Sequence, residues 1–546
     1  MKLKRHFFIF IFLFALSINS IASGPALQNS KKKTFYKSIK GENNKTLYMK
    51  DSKADIYVIK GKSDSICVNA SIEIAHDNVR FIEKYLEECQ LILKPYSNGY
   101  RVELKTPQYK NRSGQDIVTS ILKDLFNGKV GNFSSYVEIK ITVPQKTNIN
   151  IDNRYGNVFV TEISGELEIS NTSGSVEIDD CEGSVDIKNK YDSVEIGNFA
   201  GNVKVETSNG DVRLEGIHGD TQIVCSYRDV EFRNINGNLT INGQSCRING
   251  TEVKGNCDIS SVYKPIRISK ISGDLTIKGE SCEVNAKYIG KNVKIITSYR
   301  NITIDSVGGK LYINGRSSAV NAKRFKGGTI RTEYRDVDVK DVYGSLSVEN
   351  PSGSVNVYNI LGDLHLISSY REVKLEKIKG NLKCKTESGA VYASEISGNA
   401  DIKSSYRSIE LKDVKGSADI DGESCAVIVD NVSGNINIIN SFKRVSVVRS
   451  GASIKIEGRN SPVEIKGIKK ISYGDEITVA TSYKDVIIEL PGSMDYSIWA
   501  GTKYGDIKSD FPVYLNTGKI EIEKIKEQKK IPVIINTTSD IEINKK

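Results

Sequence analysis

Two superimposed repeats constrain the fold of this chain more than any other feature. Glycine returns every 18 residues from Gly165 to Gly273 and again, with one step of 17, from Gly309 to Gly434. Tyrosine returns every 36 residues, with one step of 35, and Phe442 takes the next place in that series. The structural unit is therefore 18 residues long, and two units make the longer period. The tyrosines of the series are Tyr155, Tyr191, Tyr227, Tyr263, Tyr299, Tyr334, Tyr370 and Tyr406.

Within one unit the apolar residues alternate with polar ones, as in "YRDVEFRNINGNLTINGQ" (227–244). Short alternating runs separated by Gly-Asn, Gly-Asp or Gly-Ser turns indicate β-strands. Three short straight segments in 18 residues predict one coil of a parallel β-helix, each coil pairing with the next. We therefore predict an all-β, single-chain parallel β-helix (β-solenoid) of 18-residue coils. About 20 coils at about 4.8 Å each would form a rod about 95 Å long.

The alternation also predicts where the repeated tyrosines point. In "DLHLISSYREV" (363–373), Tyr370 has the same parity as Leu364, Leu366 and Ser368, so its ring is expected to face inward. The equivalent position in intervening coils holds a small Ser or Asn, which would give each ring more than one coil of height. We therefore predict that the eight tyrosines form a structural core ladder, in preference to a ligand-binding ladder.

A basic residue follows most of these tyrosines and should point outward, every second coil, about 9.6 Å apart. Such a row could grip a repeating anionic polymer. The alternative is a solvated stripe that pairs with neighbouring acids such as Asp229, Asp336 and Glu372. The candidate polymer-binding residues are Arg228, Lys264, Arg300, Arg335, Arg371, Arg407 and Lys443.

The two ends of the chain lack the 18-residue rhythm. Residues 1–22 have a basic start, an apolar run and a small-residue site at Ala22, which predicts a signal peptide and export to the periplasm, the outer surface or the medium. Residues 23–145 are expected to form a β-rich entry module with helical inserts at 76–90 and 114–128. The solenoid repeats span 146–466, and 467–546 hold irregular final coils and a C-terminal cap. No later apolar stretch approaches the about 20 residues of a membrane helix.

Cysteine and histidine usage bears on redox and metal chemistry. Cys67 and Cys89 are the only cysteine pair before the repeats and are the candidate disulfide. The other seven cysteines lie inside the repeats and are expected to be small buried residues. Four histidines in 546 residues, and no Asp or Glu cluster out of step with the repeat, disfavour metal or His-based catalysis, so no cofactor and no catalytic residue is expected.

The net charge of +10 is mild for a chain of this length, and no dense basic block is present. It disfavours nucleic acid as a partner and suits anionic envelope polymers. The expected partner is thus an anionic polysaccharide or another envelope surface component.

Three stretches give the chain a resemblance to a known family. They are "YVEIKITVPQKTNINIDNRYGNV" (136–158), the repeated "ISGELEISNTSGSVEI" type of unit and "TKYGDIKSDFP" near the end. With these, the sequence resembles the bacterial putative-adhesin family of β-helical proteins, a family of unknown function. The resemblance implies an exported β-solenoid that acts as a non-enzymatic, adhesin-like binding or structural rod. The alternatives are a self-assembling envelope scaffold and a polysaccharide-active β-helix enzyme.

Overall fold

The chain forms a solenoid whose coils stack into two long β-sheets. A computed structural model describes residues 29–107, 133–515 and 522–546. Residues 18 apart pair in parallel: Leu364 with Leu382 in one sheet, here called sheet B, and Val373 with Val391 in the other, sheet A. About 20 coils repeat this arrangement, which confirms the predicted all-β parallel solenoid and its spacing.

The coils of the repeat region alternate between the two sheets along the chain, and β13 runs through both. β8, β10, β12 and then the odd-numbered strands lie in sheet B; β9, β11 and then the even-numbered strands lie in sheet A. Before them the chain contributes β1 Ser30–Lys40, β2 Lys45–Ser52, β3 Asp55–Lys60, β4 Ser65–His76, α1 Val79–Glu88, β5 Gln90–Tyr96, β6 Gly99–Lys105 and β7 Phe133–Val143. The strands of the coils are β8 Thr147–Tyr155, β9 Val158–Thr161, β10 Ser164–Ser173, β11 Val176–Asp179, β12 Glu182–Asn189, β13 Val194–Thr207, β14 Val212–Ile217, β15 Thr221–Cys225, β16 Val230–Ile235, β17 Leu239–Gly243, β18 Ile248–Val253, β19 Cys257–Val262, β20 Ile266–Ile271, β21 Leu275–Glu280, β22 Val284–Ile289, β23 Val293–Ser298, β24 Ile302–Val307, β25 Leu311–Arg316, β26 Val320–Phe325, β27 Gly328–Thr332, β28 Val337–Val342, β29 Leu346–Asn350, β30 Val355–Ile360, β31 Leu364–Ser368, β32 Val373–Ile378, β33 Leu382–Lys385, β34 Val391–Ile396, β35 Ala400–Lys403, β36 Ile409–Val414, β37 Ala418–Asp421, β38 Val427–Val432, β39 Ile436–Ser441, β40 Val445–Val448, β41 Ile454–Arg459, β42 Val463–Lys466, β43 Ile477–Ala480 and β44 Val486–Leu490. The C-terminal elements are β45 Tyr496–Gly501, β46 Ile507–Ser509, β47 Val513–Leu515, α2 Ile522–Glu527, β48 Ile531–Asn536 and β49 Ile541–Lys545.

A six-residue pattern shapes each sheet A strand. In β16, Val230, Phe232 and Ile235 are buried in the core, although the last two are separated by an odd number of residues. Asn234 between them has a left-handed backbone (φ 58°), which bends the strand and returns Ile235 to the inside. The third straight segment predicted for each coil is thus the last part of this bent strand. The bend recurs at Glu162, Asp180, Asn198, Gly216, Asn234, Glu252, Lys270, Tyr288, Ser306, Arg324, Asp341, Asn359, Lys377, Glu395, Asp413, Asn431, Arg449 and Gly467.

The glycine that marks the 18-residue period is required by close approach of successive coils. At Gly201 the backbone is left-handed (φ +149°), and a Cβ atom there would lie 1.7 Å from the carbonyl oxygen of Gly183 in the preceding coil. A side chain of any size at this position would separate the two turns and break the stacking. The marker glycine therefore fixes the coil-to-coil distance at the turn that follows sheet A.

The N-terminal strands extend both sheets in a non-sequential order. In sheet B, β2 lies between β6 and β8, and in sheet A, β3 lies between β7 and β9. Beyond them, β1, β4 and β7 form an antiparallel extension of sheet A, and β5 pairs antiparallel with β6. Helix α1 begins after Asn78, whose side chain accepts a hydrogen bond from the Phe81 amide (3.2 Å), and occupies the predicted stretch 76–90. The predicted helix at 114–128 and the leader 1–22 lie outside the described residues.

The predicted Cys67–Cys89 disulfide is not formed, and both residues are free thiols. Helix α1 packs on Ile72 and Ile74 of β4, which share the parity of the buried Ile66. Alternation along β4 therefore places Cys67 on the face opposite the helix. Cys89 instead ends α1, buried, with its thiol donating to the Tyr85 carbonyl (3.2 Å).

The C-terminal strands also pair out of sequence order. In sheet B, β48 lies between β43 and β45, and in sheet A, β49 lies between β44 and β46. The chain thus builds an outer coil first, passes through α2 and then inserts its last two strands inside that coil. Its final residues consequently have a strand neighbour on both sides. Neither helix in the described ranges is long and apolar enough to cross a membrane.

Candidate functional site

The repeated tyrosines lie at the corner where the chain passes from sheet B to sheet A, and they point outward. Their exposed fractions run from 51% at Tyr191 to 68% at Tyr406, and Phe442 is 60% exposed. The predicted core ladder is therefore wrong for all eight members: Tyr155, Tyr191, Tyr227, Tyr263, Tyr299, Tyr334, Tyr370 and Tyr406.

The error comes from carrying strand alternation through a turn. The inward alternation of β31 ends at Ser368, which is 2% exposed, and the next inward residue is Val373 in β32. The two are separated by five positions, an odd number, so the alternation must break between them. Tyr370 falls in that break. At the equivalent Tyr263 and Tyr299 the backbone is left-handed (φ 65° and 64°), which turns the side chain away from the core.

The core beneath the corner has two alternating forms, and this alternation accounts for the 36-residue period. Coils with an exposed tyrosine place a small polar side chain inside, such as Ser261 or Thr297. The intervening coils place a glycine there, and a residue three positions later fills the space: Gly279 with Cys282, or Gly315 with Ser318. Tyrosine and the small-residue turn thus belong to two different corner structures.

Hydrogen bonds between successive coils tie these two corner forms together. The hydroxyl of Ser261 donates to the carbonyl oxygen of Cys246 (3.2 Å), and that of Thr297 donates to the carbonyl oxygen of Cys282 (3.3 Å). In the first coils asparagines do the same: Nδ2 of Asn171 lies 3.2 Å from the Gly156 carbonyl and 2.8 Å from the Gly174 carbonyl. These bonds satisfy buried corner carbonyls and hold the exposed rings in line.

The seven basic residues of the predicted row are all exposed and stand beside these rings. None of them takes part in an ion pair within the described parts of the chain: Arg228, Lys264, Arg300, Arg335, Arg371, Arg407 and Lys443. The acids expected to neutralise them have other partners. Asp229 pairs with Arg247 (3.2 Å), Asp336 accepts from the Ser354 amide (2.9 Å), and Glu372 pairs with Lys374. The row therefore presents positive charge to solvent.

Clefts lie between successive members of this aromatic-basic corner, because every second coil has only a small residue there. One cleft of about 510 Å³ on the sheet A side is lined by Tyr370, Arg371, Arg407 and Tyr392, with Ser354 and Ser408. Another, of about 270 Å³ on the sheet B side, lies beside Tyr334. A ring and one or two guanidinium groups thus converge on each cleft.

This corner has the chemistry of a binding surface. The face of a tyrosine ring attracts cations, as Lys190 does over Tyr191 (4.9 Å to the ring centroid), and an apolar ring face also stacks on flat ligands. Arginine binds carboxylates, sulfates and phosphates through two parallel hydrogen bonds. Rings and cations spaced two coils apart, about 9.6 Å, match a ligand that repeats at that interval.

Carboxylates on the outer face of sheet A are the nearest approach to an acid site. Burial raises the pKa of Glu177, and Glu195 faces it across the ladder. Burial and the neighbouring Asp180 raise the pKa of Asp179, whose carboxylate accepts from Asn198 (3.2 Å). In the described parts of the chain, no group of three or more His, Cys, Asp and Glu side chains is placed to hold a metal ion.

Comparison with known proteins places part of this solenoid in a family. The model of the family described as Toastrack DUF4097 matches residues 44–289, from the start of β2 to the end of β22. No curated protein matches the sequence.

Two solved structures have detectable similarity. One is a putative cell adhesion protein from Clostridium sporogenes, with 15% identity, 41% of this chain and 100% of that chain covered, and a TM-score of 0.18. The other is a putative adhesin from Parabacteroides distasonis, with 12% identity, 62% and 97% coverage, and a TM-score of 0.17. Neither likeness is close enough to transfer a function.

The family match confirms the resemblance drawn from the sequence: residues 44–289 belong to the Toastrack DUF4097 family, an adhesin-like β-helical family of unknown function.

Proposed function

We propose that this protein is a non-enzymatic, adhesin-like rod of the cell envelope whose aromatic-basic corner binds a repeating anionic polysaccharide. The observation that carries the proposal is the row of seven exposed basic residues, each directly after an exposed Tyr or Phe and without an ion-pair partner among the described residues. A merely solvated stripe has no need of large exposed rings at the same interval.

The geometry of the corner favours a polymer over a small molecule. Each cleft is shallow and brings together only one or two rings and one or two cations, as at Tyr370, Arg371 and Arg407. A single cleft would bind a monosaccharide weakly, because surface charge contacts are worth little individually. Seven clefts in register on one rigid rod multiply weak contacts into stable binding to a chain of matching repeat.

Export is part of this proposal and rests on the basic and apolar leader at 1–22. An anionic polysaccharide would be met outside the cytoplasm, at the periplasm or the outer surface. Cell fractionation of the native host with an antibody to the rod tests this part independently. Recovery in the cytoplasmic fraction alone would contradict it.

Binding is tested with the full chain and polygalacturonate, a linear polyuronate, with dextran as the neutral comparison. We expect polyuronate binding that weakens as salt is added, because the contacts are charged and exposed. The charge reversal Arg371→Glu with Arg407→Glu should weaken binding by about tenfold or more, which corresponds to about 1.4 kcal/mol.

The control variant carries the same charge change on the same coils but at the opposite corner. Lys379 and Lys415 are exposed, lie 36 residues apart and follow the last core residues of β32 and β36. Lys379→Glu with Lys415→Glu should bind almost as the unmodified protein does. Equal losses in the two double variants would reduce the effect to net charge and would overturn the assignment to this corner.

A further inference from the structure

Two cysteines of adjacent coils meet in the core beneath the corner that carries Tyr227. Cys225 ends β15 and pairs in register with Gly243 of the next coil. Cys246 lies three residues after Gly243, in the turn toward β18. Both are buried, with exposed fractions of 2% and 0%.

The missing side chain of Gly243 leaves the space in which the two residues meet. A Cβ atom on Gly243 would lie 3.4 Å from the sulfur of Cys225 and 3.4 Å from the Cβ of Cys246. The hydrogen bond between the two thiols, together with burial, raises the pKa of the Cys225 thiol. The two sulfur atoms are thus neighbours across the coil boundary and are not separated by another side chain.

Comparison with the other coils shows that this pair departs from the repeat. At the position of Cys225 the equivalent coils have a hydroxyl, as in Ser261 and Ser404, and these face Cys282 and Cys425. In the repeat a thiol opposite a hydroxyl fills the corner without further chemistry. Among the coils of the alternating series in the sequence, only 225 and 246 place a thiol at both positions.

We propose that Cys225 and Cys246 are a disulfide-forming pair that cross-links successive coils when the chain folds in an oxidising compartment. The Cys246 thiolate attacks a sulfur of an oxidising disulfide, such as oxidised glutathione, and one thiolate leaves. The Cys225 thiol loses its proton and attacks the Cys246 sulfur of the mixed disulfide, and the second thiolate leaves. Two electrons pass to the oxidant, which departs as two thiols after taking up the two protons. Because both residues are buried in the finished coil, the exchange takes place while the coils are still open.

The test is to refold the full chain with oxidised glutathione, denature it, alkylate it and count its thiols by mass spectrometry. We expect seven free thiols of the nine present, and a cross-linked peptide pair containing Cys225 and Cys246. We also expect a thermal unfolding temperature that falls when dithiothreitol is added. Nine free thiols, or a bridge between other cysteines, would overturn the proposal.

Two matched variants separate the pair from ordinary cysteine burial. Cys246→Ser introduces the residue found at the equivalent Ser318 and Ser461, so it should fold; it should retain all eight remaining thiols and show no dithiothreitol effect. Cys282→Ser changes the same repeat position opposite a serine; it should still lose two thiols, leaving six of eight, and keep the effect. A dithiothreitol effect that persists in Cys246→Ser would contradict the assignment.

Discussion

The ring of Phe232 occupies the space above Gly250 in the next coil. The two residues pair in register in sheet A, and a Cβ atom on Gly250 would lie 2.1 Å from Cζ of the ring. In the following coil the same position holds Ile268. One large residue and one glycine therefore fill two layers of a core that elsewhere has one medium-sized side chain per layer.

Gly250→Ala should lower stability by about 1–3 kcal/mol, because the added methyl group forces the Phe232 ring out of place. Phe232→Leu alone should also destabilise, since it leaves a cavity above Gly250. The double variant should be more stable than the sum of the two losses predicts, because the methyl group enters the vacated space. Urea denaturation of the four proteins measures this coupling. Strict additivity would show that the two residues do not share the volume.

Thr332 tests the hydrogen bonds that join the two corner forms. Its hydroxyl donates to the carbonyl oxygen of Ser318 in the preceding coil (2.7 Å), and both residues are buried. Thr332→Val keeps the shape but leaves that carbonyl without its partner, so we expect a loss of about 1–3 kcal/mol. Thr329→Val in the same strand is the control: Thr329 faces outward and is half-buried, so it should cost far less. Equal effects on the midpoint of urea denaturation would show that the buried bond contributes nothing special.

The regular part of the fold was accessible from sequence because each coil repeats the same local signals. Stacked coils of equal length place Leu364 over Leu382, so an 18-residue period with alternating apolar residues leaves few other folds. The outward position of Arg371 and Arg407 was also predictable. The orientation of Tyr370 was missed because alternation holds only within a strand, and the odd spacing from Ser368 to Val373 was the signal that could have revealed the break.

The order of strands at the two ends was not accessible in the same way. Nothing local in the sequence of β48 states that it pairs with β43 and β45, which lie about 50 and 35 residues before it. Such pairing depends on which sheet edge is open when the chain returns, and that is a property of the whole fold. The Cys67–Cys89 prediction failed for a related reason, since sequence proximity does not show which face of β4 the helix covers.

The inserted C-terminal strands should be protected from hydrogen exchange more strongly than strands that precede them in the chain. The amides of Ile541 and Ile543 lie in β49, between β44 and β46, whereas β46 is followed by no further strand among the described residues. Amides of strands with neighbours on both sides open only when a larger unit unfolds. Exchange measured by mass spectrometry should therefore give slower rates for 541–545 than for 507–509. Faster exchange of the terminal segment, as expected of a fraying end, would contradict the strand order.

Tyr496, which precedes β46, gives the outer coil a dependence on alkaline pH. Its hydroxyl donates to the Pro491 carbonyl (3.1 Å), its ring packs edge-on against Phe511 (5.6 Å), and burial raises its pKa to about 12. An unfolded tyrosine titrates near its ordinary pKa of about 10. Since the folded state holds the proton more tightly, the stabilisation is fully present below pH about 10 and is lost as the pH rises through about 12. Tyr496→Phe lacks this titration and the hydroxyl bond. It should melt at a lower temperature than the unmodified protein at pH 8.5, and the difference should shrink at pH 11, where other tyrosines and lysines titrate equally in both proteins. A difference that stays constant between the two pH values would show that Tyr496 is not the group whose burial matters.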